Sequence, residues 1–424
     1  MGATETENHQ GPNVAIVDNS DRSAYLKSTE SDSASNSTSV STRVPYPELS
    51  GTDIGLARKL PYSVGFTTIA TRHKPHHPYE KDYEADGSPV LENRKTVSQW
   101  DSRLLSPTIS GKMLYQDTKA LEITAIIRAG CKRGAQLVIV NNDIVAKIYD
   151  PLYYDDSDEF GFEIDVVDKA CSDYRTEAAA YQELQKSPAA QEVIPAFYGT
   201  WVIHVDTLKR EGDQVWKYTR QVPLMLIEYV RGDTMIDINP LVLSEALRTS
   251  LMKKVMEIES IIFYAGVNHS DIHPRNVIIA GPPSHKSHDT PDELFVKVID
   301  FNTSEIRRHP GYHLAEIQEK IQEGMDAWFP KLPSPFMRFY RSLDDFACRG
   351  WCPNDDPELD DHVSSLWLWK QVKDDERYIP VIWDPTDPWT RPKYVKFRHT
   401  SPSSSDSGVN VDMEGTKKRK SCED

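Results

Sequence analysis

Residues 267–305 constrain this chain more tightly than any other stretch. They read V-N-H-S-D-I-H-P-R-N-V-I-I, then a polar segment, then F-V-K-V-I-D-F-N-T-S-E. The apolar runs at 277–279 and 295–299 have strand character. The segment 281–293 between them is rich in Pro, Ser, His and Asp and reads as a hairpin loop. Asp271 stands five residues before Asn276, at the outer end of the first strand, and Asp300 closes the second. A hairpin brings those ends together. Two carboxylates and one amide then converge on one patch, a set of hard oxygen donors that suits Mg²⁺ and the phosphates it carries.

H-S-D-I-H-P-R-N resembles the catalytic loop of the protein-kinase-like superfamily, H-x-D-x-x-x-x-N, and I-D-F-N resembles its metal-binding D-F-G. The resemblance implies an α+β, bilobal fold. A small antiparallel β lobe with one main helix would be joined to a larger, mostly helical lobe, with disordered N- and C-terminal tails. It also implies ATP and Mg²⁺ as cofactors. Asp271 would orient or deprotonate an acceptor hydroxyl, Asn276 and Asp300 would hold Mg²⁺, and His269 would brace the loop. Without the resemblance, the same residues read as a polar turn between strands with solvated acids.

The preceding region supplies the rest of such a site. The apolar runs at 123–127, 137–140 and 144–149 read as a three-stranded meander. Its first turn, R-A-G-C-K-R-G-A, carries Gly130 and Gly134, candidates for letting backbone N–H groups approach phosphates, although the turn is not G-x-G-x-x-G. In D-I-V-A-K-I-Y-D, Lys147 lies among apolar neighbours, and the resemblance makes it the lysine that pairs with the α- and β-phosphates. In the helix Y-R-T-E-A-A-A-Y-Q-E-L-Q, Glu177 shares a face with Tyr181 and Leu184. An acid on an apolar stripe needs a cation, and Lys147 is the obvious one. Residues 193–201 and 224–230 read as two further strands. The second ends in E-Y-V-R-G, which resembles the hinge where an adenine ring bonds to backbone groups, here those of Glu228 and Val230. Apolar residues at 243, 247, 251, 255, 258 and 262 predict a long helix, with Gly266 as its stop.

Three departures from the pattern matter. D-F-G has become Asp300-Phe301-Asn302, where Asn302 is expected to supply the positive φ that glycine would. The glycine-rich loop is degraded. His273 follows Asp271 by two residues, so D-I-H-P-R-N stands closer to the D-L-H-P-G-N of aminoglycoside and choline kinase relatives. Past Asp300 there is no recognisable activation loop and no A-P-E. A helix is expected over 314–328, and the tryptophans at 351, 367, 369, 383 and 389 read as a packed core.

These readings divide the chain into a disordered Ser/Thr-rich tail (1–60), an extended segment (61–117), a small lobe (118–230), a large lobe (231–390) and a disordered tail (391–424). In the first tail, ten of the sixteen residues from 28 to 43 are Ser or Thr, too few apolar groups to offset ordering entropy. The net charge of −16 argues against non-specific nucleic-acid binding. Five scattered cysteines make no disulfide framework, no signal peptide is visible, and no apolar run reaches membrane-spanning length. The expected location is intracellular and cytoplasmic, with Lys417, Lys418, Arg419 and Lys420 forming a cluster of the nuclear-import type. The leading functional expectation is a phosphotransferase moving the ATP γ-phosphate to a protein Ser/Thr or small-molecule hydroxyl. The alternatives are a pseudokinase scaffold that binds partners without catalysis, and an unrelated α+β binding domain.

Overall fold

A computed structural model describes residues 42–45, 60–79, 104, 111–155, 157, 160–211, 214–281, 294–353, 362–387 and 390–395, with backbone alone for 42–45, 209–211 and 362. The Ser/Thr-rich tail up to residue 41, the loop at 282–293, Trp389 and the C-terminal basic cluster lie outside the described residues. What is described is a mixed α+β structure with antiparallel sheets.

The largest sheet holds β1 (Thr42–Pro45), β2 (Thr67–Pro75), β3 (Gly111–Arg128), β4 (Gln136–Val140), β5 (Ile144–Ile148), β6 (Phe197–Glu211) and β7 (Gln214–Glu228). Neighbours run β1-β7-β5-β4-β3-β2-β6, and β6 pairs again with β7, so β2 to β7 close on themselves into a barrel. Closure removes the exposed edges that an open sheet of these strands would carry. The closing link is narrow. Thr71 faces Val202 and Arg72 faces Trp201, while Arg72 Nη1 donates to the Tyr198 carbonyl at 2.7 Å. Gly199 makes that approach feasible: a Cβ there would lie 2.1 Å from the Arg72 guanidinium. The expected segment 61–117 therefore contributes a barrel strand, β2, and the start of another, β3.

Period-two alternation sorts side chains between the barrel interior and its outer face. In β5, Ala146 and Ile148 join an inner cluster with Leu121, Ile123, Val140 and Leu224, which leaves a cavity of only about 10 Å³. Val145 and Tyr149 belong to the other core, built between the sheet and the helices. Lys147, between them in register, has the same outward aspect.

Against that outer face lies α1 (Val166–Leu184), whose N-cap Asp165 accepts from the N–H groups of Val167 and Asp168 at 3.1 and 3.2 Å. The short α2 (Pro188–Val193) leads into β6. Beyond β8 (Asp233–Thr234), α3 (Glu245–Tyr264) realises the long periodic helix, capped by Ser244 and stopped at Gly266, whose φ is +101°. The chain then forms β9 (Val267–Asn268), the hairpin of β10 (Val277–Ala280) and β11 (Phe295–Val298), and β12 (Glu305–Ile306). β10 pairs with β11 in the register Val277 to Val298, and β12 pairs with β9. Helix α4 (Ala315–Asp326) follows, and α5 (Pro335–Phe339), α6 (Asp344–Ala347) and α7 (His362–Val372) complete the second core. The tryptophan expectation is met there for Trp351, Trp367, Trp369 and Trp383. Trp351 and Trp383 are buried, and Phe336 packs against Trp369 and Trp383 at centroid distances of 4.9 and 4.8 Å.

Candidate functional site

The site lies where β5, α1 and the two loops flanking the β10–β11 hairpin meet. Lys147 is buried on a central strand, flanked by β4 and β7. Its Nζ pairs with Glu177 and donates to Asp300 Oδ1 at 2.6 Å. Tyr149, two residues along on the same face, gives its hydroxyl to Glu177 Oε2 at 2.8 Å. Burial alone would pull the Lys147 ammonium down, but Asp300 and Glu177 together hold its pKa above the ordinary value. Burial pushes the Glu177 carboxyl up, with Lys147 opposing. At Asp300 the balance goes the other way. Burial would raise it, yet Lys147 and Arg128 keep it below the usual carboxylate range and ionised. The helix and the Asp300 loop are thus clamped on one cation. Among the described residues, the buried Glu177 Oε1 finds no hydrogen-bond partner.

Asp300 adopts a φ of +68°. The positive φ expected at Asn302 falls instead on the aspartate, because a short polar side chain tolerates the left-handed region and the turn is made there. The turn sends Phe301 into the core between α1 and the loop after β9. Its ring lies 5.2 Å from that of Tyr181, one turn past Glu177, and 4.7 Å from His269.

His269 is fully buried. Its Nε2 donates to the Ile299 carbonyl at 3.0 Å, and its Nδ1 accepts the Asp271 N–H at 3.3 Å. Those partners require the neutral ring, and burial lowers its pKa accordingly. His269 therefore links the Asp271 loop to the residue before Asp300. Asn276 does the same from the other side. Its carbonyl accepts the Ile299 N–H at 2.9 Å, while its Nδ2 donates to the Asp271 backbone and carboxylate, both at 2.9 Å. Asp271 also receives Arg275 Nη2 at 2.9 and 2.8 Å on its two oxygens. Arg275 was visible in H-P-R-N, but its role depends on the 3₁₀ turn Pro274–Asn276, capped by His273, that folds it back onto Asp271.

The outlying candidates fall in three places. Gly130 and Gly134 lie in the β3–β4 turn with φ of +145° and +66°. The Gly130 N–H is given to Gln136 Oε1 at 2.6 Å, and Gln136 Nε2 donates to the Gly134 carbonyl at 2.8 Å, so the turn is stitched by its own side chain. Gly134 lines a cleft of about 610 Å³ together with Asn302 and with Asp165, Asp168, Lys169 and Asp173 of the α1 N-terminal region. Glu228 ends β7. Burial would raise its carboxyl, but Lys297 at 2.7 Å and the Ala196 N–H at 3.0 Å hold it low. Val230, two residues on, is buried, and among the described residues its N–H meets no backbone carbonyl.

Among the described residues, no three His, Cys, Asp or Glu side chains gather as a preformed metal cage. Of the two residues expected to hold Mg²⁺, Asp300 spends one carboxylate oxygen on Lys147 and Asn276 commits its amide nitrogen to Asp271, which leaves the second carboxylate oxygen of Asp300 and the side-chain carbonyl of Asn276. That pair fits a hard cation that completes its shell with phosphate and water. No helix among the described residues is long and apolar enough to cross a membrane. No protein-family model matches the chain, and no curated protein matches it either.

Proposed function

We propose that this protein is a Mg²⁺- and ATP-dependent phosphotransferase of the protein-kinase-like type, acting on a hydroxyl of a protein or small-molecule acceptor. In this reading the barrel with α1 is the small lobe, the α3-centred core is the large lobe, and the nucleotide lies between them. The observation that carries it is the convergence of Lys147, Glu177 and Asp300, brought from three separate elements onto one buried cation. Lys147 orients the nucleotide phosphates, and Glu177 keeps the ammonium aimed. Asn276 and Asp300 would hold Mg²⁺, which supplies neutralisation of the phosphate charge. Asp271, held by Arg275 and Asn276, orients the acceptor hydroxyl and takes its proton. His269 holds the Asp271 loop to the chain ahead of Asp300. Glu228 and Val230 offer the adenine a backbone edge, for which the Val230 N–H, met by no backbone carbonyl among the described residues, is the donor.

The scaffold reading draws support from the Gly130 amide, which is spent on Gln136 rather than left for a phosphate. A thermal-shift titration with ATP, with and without Mg²⁺, on wild type and Asp300→Ala separates the two. Ligand at ~100 times its dissociation constant adds roughly 2.7 kcal/mol and moves the midpoint by several degrees. The phosphotransferase reading expects a Mg²⁺-dependent shift in wild type that the variant loses. No shift in any condition would overturn it in favour of the scaffold.

A further inference from the structure

The stretch 67–79 touches the site from behind at two points. His73, buried in β2, shares a 2.9 Å hydrogen bond between its Nδ1 and the Tyr174 hydroxyl, and the two rings stack at 5.9 Å. Tyr174 lies one turn ahead of Glu177 on α1. The His73 carbonyl also accepts Thr200 Oγ1 at 2.6 Å, which anchors the same residue to β6. Farther along, the Tyr79 hydroxyl accepts the Ile306 N–H at 2.7 Å. The Tyr79 ring packs on His309 and Tyr312 at 5.4 and 5.6 Å. Ile306 belongs to β12, which pairs with β9 directly ahead of His269 and Asp271. One run of chain is therefore bonded both to the helix that carries Glu177 and to the segment that follows Asp300.

We infer that residues 67–79 form a positioning strap, in which His73 and Tyr79 hold α1 and the segment after Asp300 at one spacing so that Glu177 and Asp300 stay together on Lys147. Its catalytic consequence rests on the phosphotransferase reading; the mechanical coupling does not. The Lys147 pairing needs two elements that are far apart in sequence and are joined elsewhere through the Tyr181–Phe301–His269 stack and a side-chain hydrogen bond between Asp173 of α1 and Asn302. The stack is ring contact and tolerates sliding, and the Asp173–Asn302 bond ties the loop to α1 at a single point, whereas the strap adds a directional hydrogen bond at each of its two ends. A loosened Tyr79 end frees β12 and, through β9, the Asp271 loop. A loosened His73 end frees α1.

The test uses full-length protein with two conservative substitutions. Tyr79→Phe keeps the ring and removes the acceptor oxygen, and His73→Asn keeps a polar group near Nδ1 while removing the stack. Hydrogen exchange is followed over residues 166–184 and 303–313, beside Mg-ATP affinity and the conversion of ATP to ADP. Loss of one hydrogen bond is expected to speed exchange about 3- to 10-fold at the segment it touches. Coupling further requires each substitution to speed exchange at the other segment, with Tyr79→Phe lowering kcat for ATP conversion while leaving its KM within about twofold. Effects confined to the segment next to each substitution overturn the strap. Cross-effects in a protein that binds no Mg-ATP support the strap and overturn the phosphotransferase reading, so the two failures are distinguishable.

Discussion

Lys147 and Arg220 are both buried cations of the barrel wall, and the chain answers them differently. Arg220 lies on the inner side of β7. Its Nη1 and Nη2 donate to the two Asp150 oxygens at 2.6 and 2.9 Å, and its Nε donates to Thr207 Oγ1 at 3.0 Å. Asp150 Oδ1 also receives the Leu152 N–H at 3.1 Å, and Oδ2 receives the Tyr62 hydroxyl at 2.7 Å. Each carboxylate oxygen is engaged twice, and the guanidinium is held in its fork geometry. Lys147 faces the other way. One of its partners, Glu177, keeps a bare buried oxygen, and the other, Asp300, keeps 27% of its side chain exposed. Arg220 closes a set that needs nothing further. Lys147 heads a set with oxygen and ammonium capacity to spare. An ion pair that only holds a fold together is best saturated, whereas one that receives a ligand has to leave something unspent.

Substitution can break that contrast. Arg220→Met strands the Asp150 carboxylate inside the barrel and is expected to cost about 3–5 kcal/mol of stability, read as a fall in the denaturant midpoint. The folded fraction should keep its Mg-ATP response. Lys147→Met should be milder in stability, about 1–3 kcal/mol, because the Glu177 carboxyl is already raised by burial and can go neutral with Tyr149 as its remaining partner. It should nevertheless abolish the Mg-ATP thermal shift. If Arg220→Met destroyed the nucleotide response at mild stability cost and Lys147→Met spared it, the two centres would have been assigned the wrong way round.

A pH titration sharpens the comparison at the strap. Burial lowers the His73 pKa to about 4, with His76 adding to the effect. The unfolded chain, near pKa 6.5, then binds a proton that the folded one refuses. The contribution is therefore complete above pH 6.5, declines as the pH falls, and is lost by about pH 4. The full span corresponds to roughly 3 kcal/mol. In urea unfolding, wild type should lose this much more than His73→Asn between pH 7 and pH 4. Parallel profiles for the two proteins would show that His73 does not carry the transition.

Most of the site was legible in the linear chain because its signals are local. H-S-D-I-H-P-R-N and I-D-F-N place Asp271, Asn276 and Asp300 at the mouths of adjacent strands, and two apolar runs with a polar loop suffice to fold them together. Lys147 and Glu177 were legible as a charge stranded in an apolar strand and an acid stranded on an apolar helix face. Arg275 was missed because its value lies in a backbone turn rather than in a spacing. The positive φ went to Asp300, not Asn302, since sequence shows which residues tolerate the left-handed region and not which one the packing of Phe301 selects.

The barrel was not legible. β2 reads T-T-I-A-T-R-H-K-P, polar and ending in proline, with nothing local to mark it as a strand. Its partners lie far along the chain, at β3 and β6, and closure depends on Arg72 passing over Gly199. The Asp150–Arg220 pair spans a sequence separation of 70, and no periodicity announces it. The sequence by itself determined the residues that carry the proposed chemistry, because each is marked by its immediate neighbours. Tertiary structure alone decided that the barrel closes, which buried cation is saturated, and that an N-terminal strap reaches the site, because these depend on non-local pairings that leave no local trace.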